Sequence, residues 1–284
     1  MRLTVQPVCS QRLRPVHRVS LLWLILVISG TFTMARAAAT PSPNAQVQRD
    51  PAASDAVRKG LAAEARFETQ TALEAFLRAD ATQPNDPFIL QKISRQYSNL
   101  ADDAAEKSEK KRLCTEALAY AQHATDLQPD NAVNVLSLAI CHGKLGLYSG
   151  VRSRIEHSRL VRDYAERALQ LNPDYDYAHH VLGRWHYEVA SLGAGTRFLV
   201  KLIYGGLPPA TTADAVRHLR RAVELSPDLP AHQLELGFAL LADGQRQAAR
   251  ETFERALALP KKETHEAEAR ARARAALEKK LNGE

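Results

Sequence analysis

Ten histidines, 38 basic and 32 acidic side chains give this 284-residue chain ample material for acid–base or metal chemistry. Few of them are spaced for it. The tightest group is His179, His180 and His186, with Glu188 close behind. His179 and His186 are seven residues apart and share a helix face. Helical zinc sites use histidines three or four apart, so that both rings reach one ion, and no pair has that spacing. The sequence also lacks a glycine-rich phosphate loop, a paired-cysteine zinc motif, a nucleophile elbow and a His-Glu-x-x-His motif. The expectation is a non-enzymatic protein with no metal and no cofactor. His142 holds the place in its stretch of chain that His186 holds 44 residues later. If the helices carrying them stack, the two rings meet on an inner surface. There they either line a ligand groove or replace a large packing residue. Arg184 and Trp185 belong to the same candidate groove, although an indole at such a position is more simply a packing anchor than a ligand platform.

A second candidate surface is Gly193-Ala-Gly-Thr-Arg-Phe-Leu-Val-Lys-Leu-Ile-Tyr-Gly-Gly206, glycine-flanked at both ends. Its centre has six apolar residues in seven, too many for a helix with a wet face, and it is too short to span a bilayer. Burial of nearly the whole circumference is therefore expected. The segment either packs against its neighbours, closes as a lid over an apolar cavity, or touches a membrane surface. As a lid, Phe198, Leu199, Leu202 and Ile203 would line the cavity, with Arg197 or Lys201 meeting an anionic headgroup at its mouth.

Two locally basic stretches, Arg152/Arg154/Arg159/Arg162 and Arg217/His218/Arg220/Arg221, fit solvated helix faces better than binding tracts. The formal net charge of +6 argues no differently. Five arginines and no acid lie within residues 1–37. Without them, the basic residues outnumber the 32 acidic ones by one, so the body has no general attraction for nucleic acid.

The elements that must position these residues show in an internal repeat. The motif Ala-x-x-x-x-Pro begins at Ala79, Ala124, Ala168 and Ala222, and a copy one residue short begins at Ala256. The spacings are 45, 44, 54 and 34 residues, and the last is the tetratricopeptide period. Proline there ends one helix and opens the next turn. The reading is an all-α, tetratricopeptide-like, right-handed superhelical solenoid over residues 53–284. Five helical hairpins fall at roughly 53–86, 87–131, 132–175, 176–229 and 230–263, with longer helices in the middle units. A capping helix follows over 264–281, with Ala269, Ala273, Ala276, Leu277 and Leu281 inward and the pairs Glu266–Arg270 and Glu268–Arg272 in water. Gly60, Gly183 and Gly237 should mark close helix contacts, and Thr211 with Asp214 should form a capping box. Cys114 and Cys141 should be neighbours that are not bridged, because packed helix axes stand farther apart than a disulfide allows.

Residues 1–37 read as a secretory signal. A basic, acid-free start precedes 17 uncharged residues from Val19 to Ala35, followed by Ala35-Arg-Ala37. An uncleaved anchor over residues 19–35 is the alternative. Residues 38–52 form a polar, proline-containing linker. An exported protein, periplasmic or secreted, is expected.

Leu182-Gly-Arg-Trp-His-Tyr-Glu-Val-Ala-Ser-Leu192 and Gly205-Gly-Leu-Pro-Pro-Ala-Thr-Thr212 go beyond generic repeats. With Arg154-Ile-Glu-His157 and Ala168-Leu-Gln-Leu-Asn-Pro173, they resemble the regulator of microtubule dynamics family. The resemblance is firm over 130–263 and weaker back to residue 55. It implies a tetratricopeptide domain without catalytic residues, linked in animal members to microtubules, mitochondria and phospholipid handling at membrane contact sites. The export signal sets this chain apart and makes it resemble a bacterial relative of the envelope. The expected function is a monomeric scaffold holding a peptide or protein partner in its concave groove. Carriage or sensing of a lipid or other apolar molecule is the alternative. Membrane contact is expected only through an uncleaved N-terminus or a lipid ligand.

Overall fold

The computed structural model describes residues 50–278, and the signal, most of the linker and Leu281 lie outside them. Among the described residues there are twelve helices and no strand. They pair as α1 (Pro51–Ala65) with α2 (Thr69–Thr82), α3 (Pro87–Asp103) with α4 (Lys107–Leu127), and α5 (Ala132–Tyr148) with α6 (Val151–Leu171). Then α7 (Asp176–Ala190) pairs with α9 (Thr212–Leu225) across the inserted α8 (Ala194–Tyr204), and α10 (Pro230–Ala242) with α11 (Arg246–Ala258). The last helix, α12 (Glu266–Ala276), packs on α10 and α11. Each hairpin also packs its first helix on the preceding hairpin, so the five stack as a tetratricopeptide-like solenoid. The extra length of the middle units is helix, since α4 and α6 each run 21 residues.

The repeat motif has a direct physical reading. Ala79, Ala124, Ala168 and Ala222 are fully buried, and their small side chains let neighbouring helices approach. Each carbonyl accepts the amide of the residue capping its helix: Gln83, Gln128, Asn172 and Ser226. Pro84, Pro129, Pro173 and Pro227 follow immediately, where no helical amide is needed. The next helix then opens on a cap or a proline. Asp86 and Asn131 accept from the first-turn amides of α3 and α5, and Pro87 and Pro230 begin α3 and α10. Thr211 accepts from Asp214 N at 3.0 Å and donates to its carboxylate at 2.6 Å, which forms the expected cap.

All three of the expected glycine contacts are very close. A Cβ on Gly60 would stand 2.6 Å from the Phe76 ring, and one on Gly237 would stand 2.4 Å from Phe253. A Cβ on Gly183 would stand 2.7 Å from Leu219. Cys114 and Cys141 are buried free thiols, as expected.

One expectation about the last helix needs correction. Ala269, Ala273 and Ala276 do face inward, but Glu266 and Arg270 are not in water. Glu266 is buried, accepts the amides of Lys262 and Glu263 at 2.7 Å, and pairs with Arg270 at 2.9 Å. Arg270 in turn donates to the carbonyls of Leu257 and Leu259. The pair ties down the turn before α12. Arg272 lies 4.4 Å over the Phe238 ring.

Candidate functional site

The first helices α3, α5, α7 and α10 contact one another in sequence along the inner side of the stack. They are much more buried than their partners, yet they carry charge. Glu64 on α1 accepts from Lys92 Nζ at 2.7 Å and Gln96 Nε2 at 2.6 Å, with Arg95 3.7 Å away. Lys144 on α5 donates to the Ser98 carbonyl at 2.7 Å and to Asp102 at 2.8 Å. Arg184 on α7 faces Glu235 at 3.2 Å and Glu188 at 3.9 Å. Burial, and then the neighbouring Arg95, pull Lys92 below its ordinary value against the attraction of Glu64. Burial lifts Glu188 to about 7, with Arg184 opposing and Glu235 adding to the rise.

Several donors on this face remain unused. Arg95 Nε, all three side-chain nitrogens of Arg184, Ser98 Oγ and Tyr175 Oη make no hydrogen bond within the described residues. Buried polar groups are nearly always satisfied, so this concentration marks the face as polar beyond the needs of folding. The recess between α3 and α5, bordered by Arg95, Asn99 and Lys144, has an open volume of about 20 Å³, enough for one water molecule.

The concave side is crossed by the chain itself. In the segment 261–265 between α11 and α12, the Lys261 ammonium sits 5.0 Å over the Phe67 ring in the α1–α2 turn. Lys262 pairs with Asp228 ahead of α10. Glu263 is buried and accepts from Tyr177 Oη on α7 at 2.9 Å. His265 meets Asp103 at the end of α3 at 2.6 Å, and Asp102 at 3.6 Å. One short strap thus joins elements from the first, second, fourth and fifth hairpins. Burial raises the Tyr177 phenol well above its ordinary value, and the Glu263 charge raises it further.

The predicted site residues divide. Arg184 lies on the inner face. Trp185 is fully buried and donates to the Ser158 carbonyl at 2.8 Å, so it is the packing anchor and lines no groove. His142 and His186 do not meet. His142 Nδ1 lies 3.1 Å from His157 Nδ1 within its own hairpin, and its ring stacks on Tyr164. His179 Nδ1 lies 3.0 Å from His218 Nδ1, and His186 stacks on His218. These rings therefore fill seams between the two helices of a hairpin, not the groove. A third pair, His180 and His232, sits 3.0 Å apart in the buried α7–α10 contact, with Asp176 3.3 Å from His232. Among the described residues no group of three or more His, Cys, Asp or Glu is placed to hold a metal.

The inserted helix reverses the expectation for it. Only Val200 is buried, while Phe198, Leu199, Leu202 and Ile203 stand in solvent. Their side chains do not line the recess behind the helix. That recess, of about 420 Å³, is bordered by Arg197, Val200, Lys201 and the loop Gly205–Ala210, against Val189 and Leu192. Arg197 and Lys201 are thus placed as expected for a mouth, and the four apolar residues are not.

Five stacked helix pairs with a polar inner face place the chain among the tetratricopeptide-like solenoids. A thermophilic TPR protein of Thermus thermophilus has the same fold, with a TM-score of 0.59 at 21% identity over 80% of this chain and 99% of that one. Within that class, residues 57–282 match the family "Regulator of microtubule dynamics protein 1-3", and the chain belongs to that family. Regulator of microtubule dynamics protein 1 of Bos taurus is 30% identical over 155 residues, 54% of this chain and 49% of the relative. Regulator of microtubule dynamics protein 3 of Xenopus laevis is 31% identical over 139 residues, 49% of this chain and 30% of the relative. The chain thus spans about half or less of the length of the curated relatives it matches.

Proposed function

We propose that this protein is a non-enzymatic scaffold whose concave face takes an extended peptide or protein segment bearing a carboxylate. One observation carries the reading. The strap already lies across that face, with Glu263 buried and accepting from Tyr177 Oη as a ligand carboxylate would. Nε of Arg95 and of Arg184, neither of which makes a hydrogen bond, provide further capacity for anions. In this reading the strap competes with the partner. Fluorescence anisotropy with labelled acidic peptides, and with the same peptides carrying Gln for Glu, tests it. Glu263→Gln should raise affinity for the acidic peptides, and Arg184→Met should lower it. Equal binding of acidic and Gln-substituted peptides, or no binding even in Glu263→Gln, would refute the proposal.

The recess behind α8 favours a second reading, a carrier of a small amphiphile whose anionic end meets Arg197 and Lys201. Native mass spectrometry of purified protein should then find a lipid adduct that is lost in Arg197→Glu/Lys201→Glu. Residues 1–37 support export of the chain, and N-terminal sequencing of the mature protein tests for cleavage near Ala37 or Ala39.

A further inference from the structure

Eight large apolar side chains are exposed among the described residues, and four of them crowd onto the eleven-residue α8. Phe198, Leu199, Leu202 and Ile203 are 65%, 44%, 70% and 61% exposed. They occupy positions i, i+1, i+4 and i+5 and form one stripe, while Val200 points the opposite way into the protein. Arg197 and Lys201 are exposed on the flank of the helix beyond Phe198, toward the recess behind it. The helix is held with this stripe outward. Arg159 of α6 donates to the carbonyls of Tyr204 and Gly206, each at 2.6 Å, where the negative end of the helix dipole favours a cation. Gly205 and Gly206 take left-handed conformations, with φ of 77° and 87°, which closes the helix there.

The charge pattern selects the occupant. From Val189 to Ala213 there is no Asp or Glu, and the two charged residues in that stretch, Arg197 and Lys201, are both cations. A second copy docking through the same stripe would set these cations against their own kind. Residues 1–37 carry five arginines and no acid, so they would meet α8 with the same sign of charge. An anionic bilayer offers both complements, acyl chains for the stripe and, above them, phosphates for the two cations on the helix's other side. No helix among the described residues is long and apolar enough to cross a membrane, so the contact is a peripheral one. We propose that α8 is a membrane-docking helix that seats Phe198, Leu199, Leu202 and Ile203 among the acyl chains of an anionic bilayer, with Arg197 and Lys201 at the phosphate level.

Hydrogen–deuterium exchange on the full chain reads this site separately from any contact made by residues 1–37. Vesicles of phosphatidylcholine with phosphatidylglycerol should slow exchange severalfold across residues 196–204. Vesicles of phosphatidylcholine alone should do so much less. Leu202→Glu with Ile203→Glu should abolish the protection while leaving the thermal melt unchanged, since both side chains already stand in water. Arg197→Glu with Lys201→Glu is the second variant and should lose the preference for phosphatidylglycerol. The proposal falls if exchange over 196–204 is unchanged on vesicles, whether or not another segment binds. It also falls if both vesicle types protect equally, if protection grows with protein concentration without lipid, or if the Glu variants keep it.

Discussion

Replacing Gly237 by Ala is normally a favourable change inside a helix, worth up to about 1 kcal/mol in propensity. Here it should be unfavourable. The new Cβ would stand 2.4 Å from Phe253 Cε1 and 2.6 Å from Cδ1, where carbon atoms prefer about 3.5–4.0 Å. The ring must retreat by about 1 Å to restore that contact distance. Phe253 is fully buried and already packed edge-on against Phe238, with centroids 4.9 Å apart, so it has nowhere to go without moving α11. Overpacking of this kind costs about 1–3 kcal/mol. The net effect for Ala is about 1 kcal/mol of destabilisation after the propensity gain. At this chain size that is a melting temperature lower by about 2–4 °C. Leu adds three more carbons to the same clash and should cost several times as much. Gly146→Ala is the control of opposite sign, because its Cβ would stand 3.5 Å from His157 Cβ, an ordinary contact. Calorimetric or dichroism melts of the two Ala variants decide the matter. If Gly237→Ala melts at or above the parent, or if both variants shift in the same direction, the argument that this glycine is a contact point is wrong. Phe253→Leu in the Gly237→Ala background should recover part of the loss, which a double-mutant cycle would register as coupling.

The histidine seams make stability depend on acid. Burial, and then the partner ring, hold His142 at about 4, and burial with His179 beside it holds His218 at about 4. The unfolded chain therefore binds more protons between pH 6.5 and 4, so the melting temperature should fall as pH drops through that window and level off above it. His142→Gln with His218→Gln should flatten the slope. Glu188 has the opposite sign, because its raised value of about 7 lets the native state bind the extra proton. Glu188→Gln should therefore stabilise the protein more at pH 8 than at pH 5 in paired melts. Burial raises Cys114 to about 12 and Cys141 to about 11, so both should resist alkylation at pH 8 until denaturant is added. Trp185→Phe removes a buried 2.8 Å bond to the Ser158 carbonyl and should cost about 1–3 kcal/mol by denaturant titration.

The fold was legible because its repeat is set by short-range stereochemistry. The Ala carbonyl that accepts a cap amide and the proline that follows must keep a fixed spacing, and this marks the ends of the first four hairpins down to the residue. The tight glycines were legible for a similar reason, since a glycine inside an otherwise periodic helix needs a close neighbour to justify it. The inserted helix was misread because composition counts apolar residues without locating them. Six in seven suggested burial all round, whereas one of them, Val200, supplies the inward contact and four face water. The partners of His142 and His186 were misjudged because their equivalence between repeats was taken to mean contact between repeats. Equivalent positions point the same way, and here that way is toward the second helix of each hairpin.

The inner face left a trace in the sequence, visible when residues are counted from each repeat proline. Eleven positions on stand Arg95 and Arg184, and fifteen positions on stand Asn99, Lys144 and Glu188. Those steps share one helix face. In single helices, such residues are indistinguishable from ordinary wet positions, and only the closure of the stack buries them. The strap had no comparable trace, because Glu263 lies in a short connection without periodicity and its partner Tyr177 is 86 residues away. What burial does to these charges bears on their purpose. Well-packed apolar residues commonly serve folding as well as buried ion pairs do, or better. A fold needing only stability would have no use for Lys92, Lys144 and Arg184 at nearly full burial, with Nε of Arg95 and of Arg184 still without a hydrogen bond. The pairs Glu64–Lys92, Asp102–Lys144 and Glu235–Arg184 hold the cations in place, and the strap brings one further carboxylate to the same face. A partner that supplied a carboxylate in place of Glu263 would find these cations already fixed and desolvated, so it would bear little of the cost of arranging them.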